Sequence, residues 1–181
     1  MNASEISSRT YARVAGFTFI FYIMAGVAHM ASGSGSPLTE VLLLLQSFSA
    51  LVLGVSLYAL TYQQGPALAT LALACRVLEA VQYGESAIYF AAGSLIFSWL
   101  LLRGRLIPRA LAQIGVIASA LLNVILPLQL AGLFGGSMSW SAGATWLVWL
   151  PMLLFEVTLA VWLMTKGVAT GTRALTASMP S

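Results

Sequence analysis

The sequence predicts an all-α, polytopic integral membrane bundle of about six transmembrane helices. Three observations carry that prediction. Of 181 residues, 60% are hydrophobic and only 7% are charged, against about 25% charged in an ordinary soluble domain. So few charges cannot dress a water-exposed surface. Apolar runs of about 17 to 24 residues recur with short breaks between them, the length that spans a bilayer as helix. The runs are continuously apolar and do not alternate in and out, which speaks against a β-barrel. Residues 1–166 read as one helical-bundle domain. Residues 167–181 read as a small, polar, flexible tail.

The first helix runs from about Tyr11 to Met30, after a polar start and behind Arg9 and Arg13. Ala25–Ala31 is rich in small residues, but no A-x-A type site ends the run cleanly. A first transmembrane helix is therefore expected rather than a removed signal. The segment SGSGSP (Ser32–Pro37) breaks the run, and the second helix covers about Leu38 to Tyr62. Gln63-Gln64-Gly65-Pro66 is a turn signal. The third helix covers about Ala67 to Tyr83, and Gly84-Glu85-Ser86 offers a tight turn. The fourth covers about Ala87 to Leu102 and is closed by RGRLIPR (Arg103–Arg109). The fifth spans about Ala110 to Phe134 with Pro127 inside it. GGSMSWSAG (Gly135–Gly143) leads to the sixth, about Thr145 to Met164.

The third and fourth helices share about 36 residues, so each is near the lower limit of about 17 for a span. One long helix over Ala67–Leu102 is the rival. Charge decides between them. With six spans, Arg9, Arg13, Arg103, Arg105, Arg109, Lys166 and Arg173 all fall on one side. One long helix would divide them between the two sides. The positive-inside rule favours six, with both termini cytoplasmic. Trp140, Trp146 and Trp149 fall at the outer end of the sixth helix and Trp162 near its inner end, where indole rings anchor at the headgroups. The small pairs Ala12/Gly16, Ala50/Gly54 and Gly115/Ser119 permit close helix approach. The net charge of +3 comes from basic residues scattered at helix ends, without the aromatic-interleaved patch of a nucleic-acid binder.

Arg76 is the one basic residue that topology leaves over. At 1.5 Å per residue it lies roughly 15 Å into the third helix, near the midplane, and Glu156 reaches about the same depth in the sixth. Glu79 is one turn from Arg76 on the same face, and Tyr83 follows on that face. The expected arrangement places Arg76 between Glu79 on its own helix and Glu156 across the bundle. One arginine against two carboxylates leaves a surplus negative charge, which one acid sheds by holding a proton. An unpaired charge at the helix centre costs about 2.5–3.5 kcal/mol. Two readings follow: a buried clamp fixing the third helix against the sixth, or a proton, ion or ligand site.

Asn123 in the fifth helix lies at a depth similar to Glu79. Nearer the outer face, His29 ends the first helix, Gln46 sits early in the second, and Glu85 sits at the turn after the third. His29 and Glu85 read as a pH-sensitive pair, as two metal ligands, or as an interfacial residue and a solvated turn residue. Two ligands are too few for zinc, so no metal is expected. Pro127 and Pro151 each remove a backbone N–H; Pro151 frees the carbonyl near Leu147, either as a plain kink or facing a cavity shared with Glu156. The lone Cys75 in an apolar run reads as a small buried hydrophobe. Hydrolase, zinc-protease and Walker motifs are absent, and a single histidine excludes bis-histidine haem within one chain. No cofactor is expected.

Three segments resemble the bacterial membrane family known as domain of unknown function 4386. They are RVAGFTFIFYIM (Arg13–Met24), CRVLEA (Cys75–Ala80), and RLIPRALAQIGVIA (Arg105–Ala118) with the Phe-Glu and Lys-Gly ending of Trp149–Gly167. The chain is shorter than the family pattern between CRVLEA and RLIPR. The resemblance implies a multi-pass protein of the bacterial inner membrane, brings no established activity, and puts Arg76, Glu79 and Glu156 on motif positions.

The leading functional expectation is binding or passage of a small solute, lipid or proton at the Arg76–Glu79–Glu156 cluster, in a monomer or homo-oligomer. The alternative is an accessory or assembly subunit docking a larger membrane partner, without enzymatic activity. A third is a lipid-modifying enzyme using His29, Glu79 and Glu85 near the outer interface. The partner expected in each case is the lipid bilayer, with no nucleic acid.

Overall fold

The computed structural model describes residues 3–32, 36–81, 86–133 and 143–169, and every regular element among them is helical. The helices are α1 (Ala3–Ala31), α2 (Pro37–Thr61), α3 (Pro66–Val81), α4 (Ser86–Arg103), α5 (Arg109–Leu130) and α6 (Gly143–Thr165), with a 3₁₀ turn over Tyr62–Gln64. Local chemistry sets their ends. Ser36 caps α2, its hydroxyl accepting from the Thr39 N–H at 3.2 Å, with Pro37 in the first turn and Glu40 beside the positive end of the helix. Pro66 and Pro108 open the way into α3 and α5. Gly167, at φ +73°, ends α6 by donating to the Trp162 carbonyl at 3.1 Å.

Two ends differ from the sequence expectation for clear reasons. Helix α1 begins eight residues before Tyr11 (11 − 3), because polar residues end an apolar run without ending a helix. Helix α5 stops at Leu130 rather than Phe134; the Ala131 N–H donates to the Pro127 carbonyl at 2.9 Å, and Gly132 follows at φ +88°. Helix α6 runs on through Pro151. The expected loop at Gly135–Gly143 lies outside the described residues except for Gly143, which opens α6; Trp140, the turn at Gly84-Glu85, Arg173 with the rest of the tail past Ala169, and the side chain of Trp146 also lie outside them.

Helices α1, α2, α5 and α6 are long and apolar enough to cross a membrane. Helices α3 and α4 have 16 and 18 residues, or about 24 and 27 Å of rise. They are two helices and not one long one. Pairings between them run in opposite directions: Arg76 meets Ser94, while Gly65, just before α3, faces Leu100 towards the end of α4. The same antiparallel progression holds for α1 with α2 (Gly26 beside Gln46, Ser32 beside Thr39) and for α5 with α6 (Ser119 with Met152, Gly115 with Phe155). Each helix packs on its successor, and α6 closes the ring against α1.

The distribution of side chains is inverted relative to a soluble protein. Leu147 is 75% exposed and Ile117 68%, while Arg76 is 1% and Glu156 4%. Apolar side chains turned outward from every helix, with charge held inside, match a lipid surround. The chain is a helical membrane protein.

Small residues set how close the helices come. A Cβ added at Gly16 would sit 2.7 Å from the Ala160 carbonyl oxygen, and one at Gly54 would sit 2.8 Å from the Arg76 Cβ. At Gly115 it would meet the Phe155 ring. All three of the expected small pairs are buried at such crossings. Gly115→Leu should therefore destabilise the bundle by about 1–3 kcal/mol through overpacking. Combined with Phe155→Ala it should cost less than the two single changes summed, as read from thermal unfolding in detergent.

Candidate functional site

Among the described residues Arg76 is the one buried arginine; it needs its donors satisfied where no water competes, and the fold supplies partners from several helices. Arg76 on α3 donates through Nη1 to Glu79 Oε2 at 2.8 Å and through Nη2 to the Ser94 hydroxyl of α4 at 3.1 Å. Its guanidinium carbon lies 4.8 Å from the centre of the Phe90 ring, within cation–π range. The other carboxylate oxygen of Glu79, Oε1, accepts from the Tyr22 hydroxyl of α1 at 2.8 Å. Arg76 and Glu79 form the one salt bridge among the described residues. The spacing of three residues puts both on one helical face, and Gly54 on α2 makes room for the arginine stem.

Glu156 enters from α6, 4% exposed. It interacts electrostatically with both Arg76 and Glu79 but makes no salt bridge to the arginine. Its Oε1 and the Arg76 Nε are both buried and have no hydrogen-bond partner. The sequence expectation of Arg76 held between two carboxylates thus divides. The Glu79 contact is direct, whereas Glu156 faces the pair at longer range with hydrogen-bonding capacity left over.

An aromatic shelf covers the outward side of the cluster. Phe90 lies parallel to Tyr22, with ring centres 6.4 Å apart, and contacts Trp149 at 5.5 Å. Trp149, expected at the headgroups, is half-buried in this shelf. Below it, Ser119 donates to the Met152 sulfur at 3.7 Å, one turn from Glu156.

The other expected residues lie apart from this cluster. Asn123 is half-buried and donates to the Ser119 carbonyl of its own helix at 2.8 Å, a local bond. His29 is half-buried at the end of α1, with its Nδ1 unpartnered. Tyr83 and Glu85 lie outside the described residues. No group of three metal-ligating side chains occurs among the described residues.

Sequence reasoning passed over Tyr22, Phe90, Ser94 and Gln129. Tyr22 and Ser94 each lie nine residues from a basic helix end (22 − 13 and 103 − 94), so the depth count that found Arg76 would also have placed them at its level. Gln129 is 2% exposed near the other end of α5, with its Oε1 unpartnered.

A family model described as Domain of unknown function (DUF4386) matches residues 81–167, in agreement with the family that the sequence resembles. The match spans 87 of 181 residues (167 − 81 + 1). It takes in α4, α5, α6 and Glu156, while Tyr22, Arg76 and Glu79 precede it. No curated protein and no solved structure matches the chain.

Removing one member of a buried pair leaves the other charge uncompensated, at about 3–5 kcal/mol. Losing one hydrogen bond to a charged group costs about 1.5–3 kcal/mol. Glu79→Gln is therefore expected to destabilise the protein more than Tyr22→Phe does, and equilibrium unfolding in detergent should rank them in that order.

Proposed function

We propose that this protein binds and passes a proton, or a small polar solute carrying one, at the midplane site between Glu156 and the Arg76–Glu79–Tyr22 group. The observation that carries the reading is the pair of orphaned atoms: Glu156 Oε1, an acceptor, and Arg76 Nε, a donor, both buried without partners. Arg76 and Glu79 neutralise each other by direct contact, so Glu156 has no counter-charge of its own within bonding distance. A bare carboxylate there would cost about 2.5–3.5 kcal/mol. The group is comfortable only when it holds a proton or when a hydrogen-donating solute meets it. Exchange between those two conditions is the elementary step of a proton-linked site. The low exposure of the cluster and its aromatic cover favour a small ligand over a lipid tail.

In this reading the protein lies in the bacterial inner membrane with six spans and both termini cytoplasmic. Support comes from the exposed Arg9, Arg13, Arg103, Arg105, Arg109 and Lys166 at one end of the bundle, with exposed Glu40 at the other.

Two measurements test the proposal. In proteoliposomes loaded with a pH-sensitive dye, the wild-type protein should dissipate an imposed pH gradient and Glu156→Gln should abolish the flux while remaining folded. Equal flux in both would overturn the site. For topology, single cysteines are introduced into a Cys75→Ser background. A membrane-impermeant maleimide should label Glu40→Cys in intact cells, and Ser8→Cys and Lys166→Cys only after permeabilisation. Ser8→Cys and Lys166→Cys labelling from opposite sides would overturn an even number of spans.

A further inference from the structure

The basic end of the bundle carries a second feature that the midplane site does not use. Three segments far apart in sequence converge there on the end of α6. Gly167, in its left-handed conformation, turns the chain so that the Ala169 N–H donates to the Leu106 carbonyl at 2.9 Å. That bond sets Lys166 beside the turn that carries Arg105 and Arg109. On the other flank, Gly16 lies against Ala160 and Met164, which places Arg13, one turn nearer the N-terminus, alongside the same end of α6.

Arg105 stands out within this group. It is the one described non-glycine residue at positive φ, +50°, a conformation that an L-residue adopts at a cost and that glycine adopts freely. It stands at the C′ position that closes α4, where the Arg105 N–H donates to the Leu102 carbonyl at 3.2 Å and the Leu106 N–H to the Leu101 carbonyl at 3.1 Å. Arg13, Arg105, Arg109 and Lys166 are exposed and none makes an ion pair among the described residues. Next to them the outward surface is apolar: Val14 and Phe17 on α1 and Val161 and Met164 on α6 are exposed.

We propose that Arg13, Arg105, Arg109 and Lys166 form a binding site for the phosphate headgroup of an anionic phospholipid, at the junction of α1, α6 and the α4–α5 turn. Four cations without an ion pair among the described residues, at helix ends that meet the headgroup layer, complement a lipid phosphate, and the outward apolar faces of α1 and α6 receive its chains. A phospholipid rather than a free anion is the occupant, because the charged site is continuous with those lipid-facing surfaces.

The test uses the full-length protein in detergent, titrated with phosphatidylglycerol, phosphatidylcholine or inorganic phosphate. It is read by the thermal-unfolding midpoint and by lipid retained in native mass spectrometry. Phosphatidylglycerol should raise the midpoint saturably and stay bound, while phosphatidylcholine and phosphate should do neither. Each basic residue neutralised should weaken phosphatidylglycerol binding about fivefold. Arg105→Gly separates the site from the fold: glycine relieves the strained turn, so the lipid-free midpoint should hold or rise while the phosphatidylglycerol increment shrinks. An undiminished increment in Arg105→Gly and in Arg13→Gln/Lys166→Gln would overturn the proposal. Equal stabilisation by inorganic phosphate would overturn it as well, reducing the patch to a general anion surface. Proton flux through Glu156 is a separate readout, so either proposal can fail alone.

Discussion

Everything near the centre of this bundle depends on keeping one guanidinium satisfied away from water. Arg76 is too costly in an apolar interior unless its donors find fixed acceptors, and Glu79 and Ser94 supply them at 2.8 and 3.1 Å. Glu79 in turn is held by Tyr22. The chain of contacts therefore joins α1, α3 and α4 through polar atoms, while Gly54 on α2 admits the arginine stem. Such a cluster is less a source of net stability than a constraint on register. Slipping any of these helices by a turn would leave a charge without a partner.

Around that centre the bundle is held by fit rather than by polarity. With lipid as the surrounding solvent, apolar contact between helices gains little over apolar contact with acyl chains. Close approach at Gly16, Gly54 and Gly115 lets backbone and large side chains interlock, so dispersion takes over the part that the hydrophobic effect plays in water. The Phe90 shelf combines both themes, since one ring stacks on Tyr22, meets Trp149 and offers its face to Arg76.

Glu156 is the acid of the cluster that makes no salt bridge to the arginine. An acid held in a membrane interior without a salt bridge carries a desolvation cost that a residue of apolar character and similar volume would not. Glu156 Oε1 is buried without a hydrogen-bond partner beside an ion pair that is already neutralised. The family model reaches across Glu156 but not Arg76 or Glu79, so the two halves of the cluster enter from unlike parts of the chain.

Much of the fold was legible in the residues alone. Apolar run lengths located all six helices, because in a bilayer a long apolar stretch has one stable form. The proline and glycine breaks located most of their ends, and the small pairs named the crossings. The i, i+3 spacing of Arg76 and Glu79 made their contact a matter of helix geometry. The rest required the tertiary structure. Arg76 bonds Ser94 rather than Glu156 because rotation of α4 and α6 about their axes, which depth counting does not see, decides which side chains meet. Asn123 turned back to its own backbone for the same reason. Depth along a helix follows from residue count; facing between helices follows only from how the whole ring packs.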